Sequence, residues 1–448
     1  MENELIKIFE QSKITNNIPD SEYTKWGVKK GLRNEDGTGV LIGLTRIADV
    51  VGYKMVDGKK VDDYGELFYR GIKVSQIAEK IDKSAEIYGF EEIAFLILFG
   101  HLPNEEELNI FCKTLRENYT LPPEYISMNI LSNPSMNVMN KIQRSLLMLY
   151  EIDENPDDSS PENVLRQSIN IIAKLPAIIC YAYQSKHHIL DGGSLIIHHP
   201  NENRGIACNI LELIREDKQY TEEEAKLLDL CLVLHLDHGA GNNSTFSSIV
   251  VSSTGTDIYS SLAASVGSLK GPRHGGANIA VKRMMETVIK EIGLNASDEQ
   301  INEIIHRILK KDFFDKSGLV YGIGHAVYTL SDPRAEIFKK KAKPLAIKKG
   351  LEDKFNFYMR FEEIAKKIIY EEKGKRVSAN VDFYSGLIYD MLDIPEDIFT
   401  PMFVMARTVG WVAHIIENKL YCSRIVRPAG KYVGDKMEYI DIKERVWR

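Results

Sequence analysis

TEEEAKLLDLCLVLHLDHGAGNN, residues 221–243, is the stretch that decides the class of this fold. Thr221 followed three residues later by Glu224 is the spacing of a capping box, in which each residue satisfies a free N–H of the other's turn. The interior that follows, LLDLCLVLHL, is apolar nearly all round. A helix of that composition belongs in a protein core or an interface rather than on a surface. The spacing therefore predicts a buried helix over Thr221–Leu236, ended by the glycines beyond His238.

The same signals recur in both directions. EEIAFLILFG, 91–100, is a strongly apolar helix closed by Gly100, with Pro103 as a stop. Asn104 before Glu105, Glu106 and Glu107 starts the next one. Pro161–Tyr183 reads as a long buried helix bent near Pro176. Thr400-Pro401 has N-cap and N1 residue types and opens an apolar helix over roughly Pro401–Asn418. Strand signals are few: Gly39–Gly52 and Glu66–Arg70 flank Asp57-Gly58, which suggests a small hairpin. No βαβ alternation or short repeat is seen. The class is mainly α with a small N-terminal β element near 37–72. Lys/Glu-rich sequence at 282–316 and 336–376 points to a smaller, more solvated lobe inserted in the chain.

With 448 residues, 44% hydrophobic and 27% charged, the composition is that of a soluble globular protein of more than one domain. The formal charge of −7 comes without a basic run, so nucleic acid is not an expected partner. Any anion site must gather its own arginines locally. The five cysteines form no pair motif and sit mostly in apolar contexts, as buried thiols of a reducing cytoplasm would. The amphipathic N-terminus is not a secretory signal, and no membrane span is expected.

Three glycine-rich or turn-forming stretches each hold a titratable residue: His274 in GPRHGGAN, His325 in GIGHAVYTLSDPRA and Asp382 in SANVDFYSG. Two imidazoles and a carboxylate suit general acid–base work. Asp382 stands among apolar neighbours, which raises a carboxyl's pKa toward that of a useful base; a helix N-cap aspartate is the plain alternative. His235 and His238 are three apart, as two metal ligands on one helix face would be, but no third ligand lies near and no metal site is expected. His238, freed by the glycine-rich exit, is read as a polar substrate contact, and His235 as a packed helical residue. His187-His188 and His198-His199 read as surface or interface. Asp332-Pro333 signals a helix start, and Arg334 in its first turn opposes the macrodipole, so a bound carboxylate explains it better than helix stability does. Arg407, inside the apolar helix MFVMARTVGWVAH, needs an anion. A substrate carboxylate and an internal salt bridge both meet that need.

LHLDHG, GPRHGGAN, GIGHAVYTLSDPRA, NVDFYSG, FVMARTVGWVAH and IVRPAG, with YGELFYRGI at 64–72, occur in the order found in citrate synthases. From about Gly37 to the C-terminus the chain resembles the si-face members of that family. The resemblance implies a two-domain helical fold with a large domain (1–277 and 393–448) and a mobile small domain (278–392). It implies condensation of acetyl-CoA with oxaloacetate and water to citrate and CoA, by an enolate and then hydrolysis of citryl-CoA. A close alternative is 2-methylcitrate synthesis from propionyl-CoA; a third reading, from another class, is a non-catalytic CoA or carboxylate sensor on this fold. The intact set of His274, His325 and Asp382 speaks against the sensor.

By the same resemblance, His274 bonds the thioester oxygen, Asp382 takes the methyl proton, and His325 polarises the ketone and acts as acid. His238, Arg334 and Arg407 hold carboxylates, and Arg427 reaches the other subunit's site in a homodimer with shared active sites. Coenzyme A lies along Val320, Tyr321, Gly322, Ile323 and Gly324, and near Lys373, Lys375, Arg376 and Asn380. No cofactor is implied, since acetyl-CoA is a substrate. Two departures stand out: Ala326 and Thr329 occupy places where some members carry arginine, so contacts to CoA phosphates differ here. No long N-terminal regulatory β domain of the hexameric kind is seen.

Overall fold

Asp57 and Gly58 both take positive φ, 50° and 73°, and form a two-residue turn between antiparallel strands β1 (Ala48–Val56) and β2 (Lys59–Tyr69). This is the geometry that the Asp-Gly pair predicts. The register runs from Val56 opposite Lys59 to Ala48 opposite Tyr69, with a shift between Val51 and Tyr53. Arg70 and Gly71, again with positive φ, turn the chain into the short β3 (Ile72–Lys73). That second turn ends β2, and upstream of Ala48 its last backbone bond is Arg70 N–H to the Ile47 carbonyl at 2.8 Å. The expected strand over Gly39–Gly52 is therefore realised only from Ala48 onward.

The computed structural model describes residues 2–81, 87–422 and 424–445. The rest of its regular structure is helical: α1 (Glu2–Thr15), α2 (Asp20–Lys25), α3 (Val74–Ile81), α4 (Gly89–Phe99), α5 (Glu105–Glu117), α6 (Val138–Met148), α7 (Pro161–Ile189), α8 (Ile206–Ile214) and α9 (Glu222–His235). There follow α10 (Asn243–Ser252), α11 (Ile258–Lys270), α12 (Ala277–Ile292), α13 (Asp298–Leu309), α14 (Pro333–Lys348), α15 (Glu352–Lys373), α16 (Val381–Met391) and α17 (Phe399–Tyr421). Short 3₁₀ turns and one π-helical turn at Tyr125–Leu131 complete it. Residues 42–426 form one compact unit; residues 1–41 and 427–448 form a second.

The capping signals at Thr221, Asn104 and Gly100 are realised. Thr221 and Glu224 form a reciprocal capping box on α9, as do Asn104 and Glu107 on α5. Gly100 ends α4 in the left-handed conformation, at φ 89°. Two helix starts use carboxylates from elsewhere in the chain. Neither Tyr88 before α4 nor Gly205 before α8 gives a side-chain cap. Asp229 of α9 accepts the N–H of Phe90 at 3.0 Å, and Glu91 of α4 accepts the N–H of Ile206 at 2.7 Å. Both carboxyls are buried.

α7 runs beyond the expected Tyr183 to Ile189 and carries Pro176 in its interior. α17 starts at Phe399, after a 3₁₀ turn, rather than at Pro401. Thr400 is thus not the cap; its hydroxyl donates to the carbonyl of Gly275 at 3.0 Å. α17 packs against α7, α9, α10, α4 and α11. By length and composition the span 396–421 is apolar enough to cross a membrane, but its apolar window is wholly buried inside the protein. Within the same unit α12 and α14 both pack on α16, and α13 on α15.

The hairpin buttresses the segment after His325. A Cβ on Gly52 would lie 2.4 Å from the Val327 carbonyl oxygen, and one on Gly65 would lie 2.1 Å from that of Ser331. Only glycine permits this approach. Gly65 N–H donates to Ser331 Oγ at 3.0 Å, and Thr329 Oγ1 lies 3.4 Å from the Gly52 carbonyl.

Candidate active site

His325 sits on a loop that its own ring helps to hold. Its Nδ1 accepts the backbone N–H groups of Val327, at 3.0 Å, and Tyr328, at 3.1 Å. A nitrogen that accepts carries no proton, so the neutral ring bears its N–H on Nε2. The ring stacks on Tyr328 with centroids 4.8 Å apart and meets His238 edge-on at 5.1 Å. His238 follows the end of α9; its Nε2 is buried without a partner. Burial first, then Arg334, His325 and Arg407, hold its pKa well below the ordinary value, so it is neutral.

Asp332 organises the next layer. It caps α14 by accepting the N–H of Arg334 at 3.0 Å, and it accepts the N–H of Val381 at 3.1 Å, tying the starts of α14 and α16 together. Arg334 closes a two-pronged ion pair onto it, Nε to Oδ1 at 3.0 Å and Nη2 to Oδ2 at 2.8 Å. Burial opposes both charges, but each holds the other ionised: Asp332 stays below its usual range and Arg334 above. The first-turn arginine is therefore explained in part by an internal carboxylate.

Arg407 lies wholly buried in α17. Nε donates to the His235 carbonyl at 2.8 Å, but both terminal amino groups are buried with no hydrogen-bond partner. Burial pushes its pKa down to about 10, although the Asp237 charge opposes this. Asp237 itself is engaged by His414 at 3.2 Å and by Gly239 N–H at 3.0 Å. An unanswered pair of guanidinium N–H groups in a protein interior is a seat for an anion. His235 is a packed residue: Nδ1 lies 2.7 Å from the Cys231 carbonyl and its ring meets Phe403 at 4.5 Å.

Asp382 stands in the first turn of α16; the cap is Asn380, whose Oδ1 accepts the Asp382 N–H at 3.0 Å. The N-cap alternative for Asp382 is thus set aside. Burial pushes Asp382 up to about 6, with Asp332 adding to the rise and Arg334 and Arg407 opposing it. Such a carboxyl can exchange a proton near neutrality. Asn380 also holds the loop below it. Its amide donates to the Gly324 carbonyl at 2.8 Å and its backbone N–H to Gly322 at 2.9 Å. Gly324 N–H returns a bond to Ser378 at 2.7 Å, and Ile323 bridges Ala379. Gly322, at φ 78°, is pressed against Phe383 and Val281.

His274, in the turn before α12, places Nε2 3.2 Å from both Asn242 Oδ1 and Ser244 Oγ. Burial, and behind it the Arg407 charge, push it down to about 4, so the ring is neutral. The field of Arg407 thus bears on His274, His238 and Asp382 alike. His238, His274, His325 and Asp382, all expected from the sequence, thus gather around the two buried arginines Arg334 and Arg407.

Known proteins match this chain in sequence and in fold. The family model for the citrate synthase C-terminal domain matches residues 36–429. The chain belongs to the citrate synthase family. The citrate synthase of Synechocystis sp. is 34% identical over 385 residues, 85% of this chain and 89% of its own length. 2-Methylcitrate synthase 1 of Corynebacterium glutamicum is 29% identical over 423 residues, 93% and 98% of the two chains. A solved citrate synthase from Thermoplasma acidophilum, in ternary complex with carboxymethyl coenzyme A and oxaloacetate, superposes with a TM-score of 0.75 at 26% identity, covering 93% and 99%. As a member of the citrate synthase family the chain is an acyltransferase.

The remaining expected residues fall in two places. Val320 and Tyr321 precede the stitched loop, the Tyr321 hydroxyl donating to Asp315 at 2.5 Å. Lys373, Lys375 and Arg376 are exposed around the end of α15, with the Arg376 guanidinium 6.0 Å from the Tyr370 ring. Arg427 belongs to the compact unit of residues 1–41 and 427–448, not to the one carrying these side chains. Sequence reasoning missed Asn242, Ser244, Asp332, Tyr328 and Trp411 as site-forming residues. Asn242 and Asp332 had helix-start signals; Trp411 sat inside a quoted motif with no role attached.

Proposed function

We propose that the protein makes citrate and CoA from acetyl-CoA, oxaloacetate and water through the residues gathered around Arg334 and Arg407. Oxaloacetate is a dianion, and the two unpartnered amino groups of Arg407 carry this reading: they supply the fork that a carboxylate completes. Arg334 and neutral His238 complete its seat. Asp382 takes a proton from the acetyl methyl group, and the enolate oxygen that develops is met by an N–H of His274. Nε2 of that ring faces Asn242 and Ser244, so Nδ1 is the nitrogen left for the substrate. The enolate carbon bonds to the ketone carbon of oxaloacetate. The ketone oxygen takes the proton from His325 Nε2, the nitrogen left protonated by the two backbone bonds to Nδ1. Water then cleaves the thioester of citryl-CoA.

Coenzyme A is placed along 320–324, at Asn380 and beside Lys373, Lys375 and Arg376. These residues supply positive charge where Ala326 and Thr329 do not. No further cofactor is required. Residues 278–392, built around α16, act as the small domain that closes on the large one, and the working unit is a cytoplasmic homodimer. Cys112, Cys180, Cys208 and Cys231 are buried and outside any disulfide, which suits a reducing compartment.

The test is thiol release from acetyl-CoA and propionyl-CoA, each with and without oxaloacetate. Oxaloacetate-dependent release with acetyl-CoA at the higher kcat/KM is expected. Preference for propionyl-CoA would make the product 2-methylcitrate; one methylene in an apolar pocket is worth only about 1–3 kcal/mol. Absence of release from either thioester would overturn the reading.

A further inference from the structure

We infer that Trp411 fixes which nitrogen of His274 carries the proton, acting through Ser244. The inference rests on the enolate chemistry proposed above. Trp411 is fully buried in α17, and its indole Nε1–H, which can only donate, points to Ser244 Oγ at 3.1 Å. Ser244 is fully buried too. Its hydroxyl oxygen lies 3.2 Å from His274 Nε2 and 2.8 Å from Asn242 Oδ1. Asn242 Oδ1 caps α10 by accepting the Ser244 backbone N–H at 3.1 Å.

Two hydrogen patterns fit these atoms. In the first, His274 keeps its proton on Nε2 and donates it to Ser244 Oγ and Asn242 Oδ1. Nδ1 is then bare and meets an enolate oxygen as a second acceptor, which repels it. In the second, the Ser244 hydroxyl turns its single proton toward Nε2, and Nδ1 carries the N–H. Only the second gives a neutral ring that donates to the substrate.

The indole decides between them. A buried hydroxyl oxygen without a donor is unfavourable. In the absence of the indole N–H, the proton on His274 Nε2 is the donor that the oxygen would claim, and this selects the first pattern. With the indole bond made, one lone pair of Ser244 is already satisfied. Asn242 Oδ1, at 2.8 Å, competes for the single hydroxyl proton but keeps the Ser244 backbone N–H when that proton turns to the imidazole, and the bond entering the hydroxyl oxygen strengthens the bond leaving it. Trp411 is thus a positioning residue.

Trp411→Phe, Ser244→Ala and the double variant test this, alongside a protein with benzothienylalanine at 411, which keeps the bicyclic ring and removes only the N–H. Loss of the N–H should lower kcat by about tenfold to a hundredfold and leave the KM for oxaloacetate within about twofold. In the Ser244→Ala background the same change should cost less than about twofold, because the relay is already cut. With ¹⁵N-labelled histidine, His274 Nδ1 should show a protonated shift in the parent protein and an unprotonated one in both 411 variants. Should Trp411→Phe fold poorly, the benzothienyl protein carries the measurement. Wild-type kcat in that protein, a full loss persisting without Ser244, or an unchanged Nδ1 shift would each overturn the inference. The labelled spectrum needs no turnover, so it separates this outcome from a failure of the citrate reading, which would show as an inactive parent protein.

Discussion

Arg407 donates Nε–H to the carbonyl of His235 at 2.8 Å, and with that bond made its two amino groups remain buried and unanswered. The helix therefore holds the guanidinium by one edge and offers the other. Arg407→Lys keeps the charge but loses the fork, and should raise the KM for oxaloacetate by about tenfold to a hundredfold with a smaller change in kcat. Arg407→Gln should raise it further. Oxaloacetate titration with acetyl-CoA saturating checks this. An unchanged KM in Arg407→Gln would make the residue structural.

Asp382 is the group whose ionisation the chemistry needs. Its pKa is raised by burial to about 6, so the carboxylate is lost as pH falls through that value. The kcat/KM for acetyl-CoA should fall on the acid side with a midpoint near 6, and the Asp382→Asn variant should lose about 10²–10⁴-fold in kcat while still binding oxaloacetate. A variant with parental turnover would exclude Asp382 as the base.

Much of this site was legible because its residues stand beside glycines and caps. His274, His325 and Asp382 announce themselves by titratable groups in turn-forming surroundings, and the apolar run in α9 announces the helical class. What the sequence hid is pairwise. Asp332 reads as a cap and is also the partner of the Arg334 guanidinium two residues on and of Val381 N–H, the last a bond that only the meeting of α14 and α16 creates. The indole of Trp411 reaches Ser244 across 167 positions of chain. The β1 strand fell short of Gly39 because a turn at Arg70-Gly71 ended its partner, a matter of pairing that local propensity does not carry.

Arg427 gives a prediction about assembly. In the proposed dimer it serves the site of the other subunit, where it adds a cation for a tricarboxylate product. An inactive Arg427→Ala chain reassembled with an inactive Asp382→Asn chain should regain one good site per heterodimer, with Asp382 from the first and Arg427 from the second. Activity should approach half that of the parent dimer per mole of verified heterodimer. No recovery would show that Arg427 serves its own subunit or no site.

The borrowed caps predict how stability depends on pH. Asp229 and Glu91 each have one oxygen on a helix N-terminus and the other, Asp229 Oδ2 and Glu91 Oε2, buried without a partner. Burial, joined for Asp229 by the charge of Glu91, raises them to about 8 and about 7. Among the surrounding groups, Glu92 adds to the rise at Asp229 and Arg116 opposes it at Glu91. The native state therefore holds protons that the unfolded chain has released above about pH 4, and folding stability is lost as pH rises from there through 7 and 8. The melting temperature should fall between pH 5.5 and 8.5, by about 2–4 °C for each kcal/mol lost. Glu91→Gln keeps the acceptor for Ile206 N–H and removes one titration, so the variant should melt lower than the parent at pH 5.5 by little and higher at pH 8.5. Parallel melting curves for parent and variant across that range would show that the pair does not titrate in the folded protein.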